Sequence, residues 1–116
     1  MSKRDPRLFL ADILEAIEKI ERYTHGLTRE GLWEDDLVAD AVVRNLEIIG
    51  EAARHVPEDL RAAHREIDWR RVVGLRNVVV HEYFAVDLDV VWVVVEKHLP
   101  RLKRVVRAML EHDAST

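Results

Sequence analysis

The chain has 116 residues, a formal charge of −4, 48% apolar and 34% charged side chains, and no cysteine. This length supports a single domain with one core. The lack of cysteine excludes disulfides and thiolate sites and favours a cytoplasmic location. No apolar run approaches the roughly 20 residues that a membrane-spanning helix needs, and no apolar signal core follows the first basic residues.

Charge is distributed unevenly along the chain. Residues 1–60 carry 8 Lys and Arg against 14 Asp and Glu, whereas residues 61–116 carry 10 against 8. The acidic balance argues against a wholly basic nucleic-acid binder. Two explanations account equally well for the excess of cations in the second half: solvated helix faces and an electrostatic binding surface.

A first helix is predicted to begin at Pro6 with Asp5 as its N-cap, because an acidic cap followed by proline is typical of a helix start. Apolar side chains then recur at helical spacing. They are Leu10, Ile13, Leu14, Ile17 and Ile20. The helix should end near residues 24–26, where Gly26 can adopt the left-handed conformation that closes many helices.

A long second helix is predicted over about residues 34–55, after a short connection or single turn at residues 28–31. Asn45 interrupts its apolar stripe, either as a buried amide with satisfied hydrogen bonds or as part of a cleft. Gly50 costs a helix about 1 kcal/mol relative to alanine. We therefore expect another helix to approach closely at Gly50.

Three more helices are predicted in the second half. A short one covers residues 58–64, Asp68 caps one that reaches about residue 81, and Asp87 caps the last. Pro100 should kink or interrupt this last helix, because proline lacks an amide hydrogen and clashes with the preceding turn. The fold class is therefore all-α, with four to five helices in one domain over residues 1–116.

Residues 76–83 hold four chemically active side chains around three valines. They are Arg76, Asn77, His81 and Tyr83. On an α-helix, residues four and seven apart share a face, so all four would occupy about half of the helix surface. Arg76 falls on the apolar stripe, where an unpaired charge would cost several kcal/mol. It therefore needs a carboxylate partner or a cleft that another chain completes.

This set of side chains can cleave an RNA phosphodiester without a metal. An unperturbed histidine has a pKa of about 6.5, so His81 suits general acid or base catalysis near neutral pH. Arg76 carries a planar guanidinium that can bind a phosphate through two hydrogen bonds. One chain provides one such histidine. A two-fold dimer with the motif helices at its axis would supply two, one as base and one as acid.

From spacing alone, a structural cluster is the preferred interpretation, with Arg76 paired to a carboxylate and Tyr83 covering the edge of the core. The remaining histidines lie near predicted segment ends, and no two of them form a convincing ligand pair. They are His25, His55, His64, His98 and His112. We therefore expect no metal site and no cofactor.

Three stretches resemble one known family. The motif Arg76-Asn77-x-x-x-His81-x-Tyr83 is similar to the Arg-x4-His-x-Tyr signature of HEPN-domain proteins, specifically the HepT-like ribonuclease toxins. The segment 45–53, Asn-Leu-Glu-Ile-Ile-Gly-Glu-Ala-Ala, resembles the second-helix signature of that family. Residues 67–70 and 86–92 also resemble it. The likeness covers about residues 5–110.

The resemblance implies a HEPN-type up-and-down helical bundle that dimerises through the motif helix, so that both motifs line one cleft. It implies a metal-independent ribonuclease acting on RNA, with Arg76 and His81 as the catalytic pair and Asn77 as a supporting residue. It also implies a toxin–antitoxin system. The partner would be a minimal nucleotidyltransferase (MNT) antitoxin that transfers AMP from ATP to Tyr83.

Two other function classes remain open at this point. A non-catalytic HEPN module would bind RNA or a nucleotide, or dock a nucleotidyltransferase, and would show salt-dependent binding without turnover. A structural interaction domain would respond to motif substitutions only through its stability.

Overall fold

The computed structural model describes residues 4–78 and 87–115, with backbone alone at residues 78 and 113–115. Every regular element in these ranges is helical, which confirms the all-α prediction. The elements are α1 (Pro6–Thr24), α2 (Arg29–Glu34), α3 (Asp36–Arg54), α4 (Glu58–Ala62), α5 (Trp69–Gly74), a 3₁₀ turn (Leu75–Val78), α6 (Leu88–Val93), a π-helical segment (Val94–His98) and α7 (Leu99–Ser115).

The predicted ends of the first helix are confirmed. The Asp5 side chain accepts a hydrogen bond from the Arg7 amide at 2.9 Å, and Gly26 has a φ of 78° just beyond the helix. The following connection is more regular than predicted. Thr28 caps it by accepting a bond from the Gly31 amide at 3.0 Å, so a six-residue helix forms before α3.

The core forms where α1 packs against α3 and α7. Its fully buried side chains are apolar and recur at helical spacing; the largest on these helices are Ile13, Ile17, Ile20, Val42, Leu46, Ile49 and Val106. Asn45 is buried among them, and its amide nitrogen donates to the Ala41 carbonyl at 2.8 Å. The interpretation of Asn45 as a satisfied buried amide is therefore confirmed.

The close approach expected at Gly50 is also confirmed. A Cβ atom built on Gly50 would collide with the backbone nitrogen of Arg76 and lie 2.9 Å from the carbonyl oxygen of Val73. Because both neighbours are backbone atoms, no side-chain rotation could make room. Gly50 therefore lets the end of α5 and the 3₁₀ turn rest directly on the surface of α3.

The predicted helix through the motif is wrong in one respect. It does begin at Trp69 with Asp68 as its cap, but α-helical geometry ends at Gly74 and a 3₁₀ turn carries Arg76 and Asn77. Glycine is a poor helix former, and a tighter last turn is common at helix ends. The α-helical rule that residues four and seven apart share a face therefore does not apply to Arg76 and Asn77.

The last helix begins at its predicted cap and contains the predicted interruption. Asp87 accepts bonds from the amides of Asp89 and Val90 at 3.0 and 3.3 Å. Ahead of Pro100 the chain widens into the π-helical segment, which includes Glu96, the residue whose carbonyl the proline ring would otherwise crowd. Within the described ranges, no helix combines the length and apolar character needed to cross a bilayer.

Gly50→Ala should lower the free energy of unfolding by about 1–3 kcal/mol, because its methyl group would force α3 away from the backbone of the 3₁₀ turn. Urea unfolding followed by circular dichroism measures this change.

The matched control is Gly74→Ala, because nothing lies within 4 Å of a Cβ built on Gly74. Alanine there should be neutral or stabilise the protein by up to about 1 kcal/mol. Equal unfolding midpoints for Gly50→Ala and wild type would contradict the close approach.

Candidate functional site

A cleft of about 750 Å³ lies where three parts of the chain meet: the start of α1, the second half of α3 and the 3₁₀ turn of the motif. Charged, amide and aromatic side chains line the cleft. They include Arg4, Phe9, Asp12, Arg44, Glu47, Glu51, His55, Arg76 and Asn77. Its size is within the range of small-molecule and nucleotide sites. The close packing at Gly50 brings the motif to this cleft.

Arg76 has a carboxylate partner, which was one of the two alternatives that its position in the sequence left open. Its Nη1 donates to Glu51 Oε2 at 3.2 Å, and its side chain is 40% exposed. The pair follows from the Gly50 contact, because Glu51 is the next residue of α3 and Arg76 is the residue whose backbone touches Gly50. The guanidinium therefore faces both a carboxylate and the open cleft.

Glu51 is shared by three cationic or potentially cationic groups. Its Oε1 accepts from Arg54 Nη2 at 3.0 Å and lies 3.4 Å from His55 Nε2, while its Oε2 accepts from Arg76. Desolvation raises the pKa of the Glu51 carboxyl. The hydrogen bond and charge of Arg54, followed by the hydrogen bonds of Arg76 and His55, outweigh this effect and lower its pKa below the ordinary value.

Two further arginine–carboxylate pairs line the cleft. Arg4 Nη1 lies 2.7 Å from Asp12 Oδ2, and Arg44 Nη1 lies 2.7 Å from Glu47 Oε1. Each pair combines one positive and one negative charge, so the cleft does not have the strong positive field of a typical polyanion groove. An anion entering it would have to exchange with, or bind beside, these carboxylates.

An aromatic pair forms another part of the cleft. The rings of Phe9 and His55 are stacked, with centroids 4.9 Å apart and an interplanar angle of 20°. The guanidinium carbon of Arg4 lies 4.9 Å from the centroid of the Phe9 ring, a cation–π distance. Residues from before α1, within α1 and at the end of α3 therefore form one stack beside the Arg76–Glu51 pair.

The structure brings two of the predicted site residues to this cleft. Arg76 and Asn77 both line it. His81 and Tyr83 lie outside the described residues, so the predicted catalytic pair of Arg76 with His81 and the predicted modification site stay predictions.

Nine residues that line the cleft were not predicted as site residues, and four of them, Arg4, Phe9, Glu51 and His55, form the contacts around Arg76 and the aromatic stack. His55 was expected near a segment end, and it does lie at the end of α3, where its Nε2 is 3.4 Å from Glu51 Oε1. Glu51 carried two usable signals, since it follows the glycine that marked the close approach and lies in the segment 45–53 that resembles the family's second-helix signature. Arg4 and Phe9 carried none, because only the packing of α1 on α3 brings them here.

A metal centre does not form from the described side chains. Among residues 4–78 and 87–115, no group of three or more His, Asp or Glu residues could hold a metal ion. The described side chains of the cleft include guanidinium, imidazole, carboxylate and amide groups.

Comparison with known proteins identifies the family. The family model described as "Ribonuclease HepT-like" matches residues 13–109. The chain is 43% identical over 101 residues to "Probable ribonuclease HepT" of Thermococcus cleftensis. The aligned residues cover 87% of this chain and 92% of that protein. The chain is 38% identical over 104 residues to "Putative RNase MJ1380" of Methanocaldococcus jannaschii, with 90% and 95% covered.

A third relative is longer than this chain. The chain is 37% identical over 109 residues to "Gamma-glutamylcyclotransferase and putative RNase MJ0434" of Methanocaldococcus jannaschii, which covers 94% of this chain. It spans about half the length of that relative, 49%. No solved structure matches the chain significantly. The family model, together with the two relatives that the chain matches over more than 90% of their length, establishes that the chain belongs to the HepT-like ribonuclease family.

Proposed function

We propose that the chain is a metal-independent endoribonuclease toxin whose active site forms around Arg76 and His81. Two observations support this proposal. The first is that the chain belongs to a ribonuclease family. The second is that Arg76 of the signature lines a cleft, where its guanidinium can bind a phosphate. Of these, the location of Arg76 in the cleft carries the proposal.

In the proposed reaction, His81 removes the proton from a ribose 2′-hydroxyl, and the resulting oxygen attacks the adjacent phosphorus. The bond from phosphorus to the 5′-oxygen breaks, and a general acid protonates that leaving oxygen. Arg76 stabilises the negative charge that develops on the phosphoryl oxygens. The products are a 2′,3′-cyclic phosphate and a 5′-hydroxyl. Asn77, which lines the cleft, supplies a hydrogen bond to the substrate.

An RNA phosphate reaches an Arg76 guanidinium that already has Glu51 as a partner. The Glu51 contact is made through Nη1, and a guanidinium has five N–H donors arranged in a plane. A phosphate can therefore bind the remaining donors or displace the carboxylate. Arg54 and His55 also contact Glu51, so its charge stays compensated when Arg76 turns to the phosphate.

Substitution of either signature residue should abolish cleavage. In buffer with EDTA, wild type should cleave single-stranded RNA, and Arg76→Ala and His81→Ala should each be slower by at least about 100-fold. Gel analysis of labelled RNA measures the rates.

Two controls match these variants. Arg107→Ala removes an arginine that, like Arg76, pairs with one glutamate, Glu18, at 3.5 Å. His25→Ala removes a histidine outside the cleft. Both should keep the wild-type rate. RNA binding without turnover in wild type would contradict the proposal and favour the non-catalytic HEPN module that binds RNA or a nucleotide or docks a nucleotidyltransferase.

We also propose that the active form is a homodimer, because one chain supplies a single His81 for a reaction that needs a base and an acid. Helix α6, which begins five residues after Tyr83 of the motif, presents Val90 and Val93, which are 54% and 44% exposed. With Val72 and Leu75 they line an apolar groove of about 640 Å³. Exposed apolar surface of this kind is typical of subunit contacts.

Val93→Asp should therefore shift the protein from dimer to monomer and reduce RNA cleavage at least about tenfold, because a carboxylate would be desolvated in the subunit contact. Sedimentation velocity measures the oligomeric state. Leu37→Asp is the control, since Leu37 is 84% exposed and outside the groove. A wild-type protein that is monomeric while it cleaves RNA would contradict the dimer.

We further propose that an MNT-type nucleotidyltransferase antitoxin inactivates the enzyme by AMPylation of Tyr83. Tyr83 lies seven residues after Arg76 in the signature. An adenylate on Tyr83 adds bulk and a negatively charged phosphate, which would compete with the phosphate of RNA for the Arg76 guanidinium.

Coexpression with the cognate nucleotidyltransferase should add the mass of one or more AMP groups, and Tyr83→Phe should prevent the addition. Intact-mass spectrometry measures both. The chain has only one other tyrosine, Tyr23, so Tyr23→Phe is the matched control and should be modified like wild type. Modification that persists in Tyr83→Phe would place the site elsewhere.

A further inference from the structure

The stack of Arg4, Phe9 and His55 contains an accessible aromatic face. Phe9 is half-buried and packs against the core, whereas the side chain of His55 is 44% exposed. The 4.9 Å separation and 20° angle of the two rings hold the imidazole nearly parallel to an anchored phenyl ring. The imidazole of His55 is thus a flat, partly exposed ring that is stacked on Phe9 and lines the cleft.

This surface lies beside the proposed phosphate site. His55 Nε2 is 3.4 Å from Glu51 Oε1, and Arg76 Nη1 is 3.2 Å from Glu51 Oε2. A single carboxylate therefore separates the imidazole from the guanidinium. The imidazole can therefore contact a base while the guanidinium contacts the phosphate at a neighbouring position of the same RNA strand.

Single-stranded RNA is usually recognised by groups of this kind. Unpaired bases stack on aromatic rings and on the planes of arginine side chains, while cationic groups contact the backbone. The cleft provides two rings and an arginine in one stack, and a second arginine at the phosphate position. A base held within a duplex could not reach the imidazole, because its faces are covered by its neighbours in the helix.

We propose that His55, supported by Phe9 and Arg4, forms a binding subsite for an unpaired nucleobase next to the scissile phosphate. The substrate is then RNA that is single-stranded at that nucleotide. This inference rests on the proposed function, because that function places the RNA phosphate at Arg76. His55 contributes through its ring face, so the role does not depend on its proton.

The test uses a single-stranded 2′-O-methyl RNA with 2-aminopurine at one position, moved along the strand in a series of oligonucleotides. The blocked 2′-hydroxyl prevents cleavage, and stacking quenches the fluorescence of 2-aminopurine. Wild type should quench strongly at one position. His55→Ala should lose that quenching and bind about tenfold more weakly, which corresponds to about 1.4 kcal/mol.

His55→Phe separates stacking from charge, because it keeps a flat ring and removes both ring nitrogens. It should retain the quenching and bind within about threefold of wild type. Loss of binding in both His55→Ala and His55→Phe would overturn the inference, because the nitrogens and not the ring face would be responsible. Unchanged binding and quenching in His55→Ala would overturn it as well.

The outcome is distinguishable from failure of the proposed function. If wild type quenches 2-aminopurine through His55 but cleaves no RNA, the nucleobase subsite stands and the catalytic proposal fails. If wild type cleaves RNA in EDTA and His55→Ala binds and quenches like wild type, the catalytic proposal stands and the subsite fails.

Discussion

The contact between Gly50 and the backbone of Arg76 determines the geometry of the site. Because position 50 has no side chain, the 3₁₀ turn of the motif rests directly on α3, and the next residue of α3, Glu51, reaches the Arg76 guanidinium at 3.2 Å. A larger residue would separate the two segments at the point where the cleft forms. The fold and the site thus depend on the same close approach.

Ion pairing explains how a chain with net negative charge can present arginines to RNA. The described arginines of the cleft are each held by a carboxylate, which fixes their positions and limits the positive field. Such exposed pairs contribute little stability, so an incoming phosphate can replace the carboxylate at low cost. Binding to RNA would then depend on local geometry and base stacking more than on long-range attraction.

Local signals in the sequence predicted the helices well, and non-local packing explains what they missed. Asp5, Asp68 and Asp87 each cap the helix that they were expected to start, and Gly26 has the predicted left-handed conformation. The 3₁₀ turn after Gly74 was missed because helical spacing cannot distinguish it from another α-turn. Helical spacing alone puts His55 beside Glu51, four residues earlier. What the sequence did not show is that a cleft forms at this end of α3, because that depends on how α1 packs against α3.

The most direct test of this account is the salt dependence of RNA binding, measured with a single-stranded 2′-O-methyl oligonucleotide that the protein cannot cleave. If the Arg76 guanidinium contacts a phosphate, Arg76→Ala should reduce the slope of log affinity against log salt concentration by roughly 0.7, the value expected for one contact to a single strand. Arg107→Ala should leave the slope unchanged. An Arg76→Ala variant with the wild-type slope and affinity would contradict the account, because the arginine of the cleft would then not meet RNA.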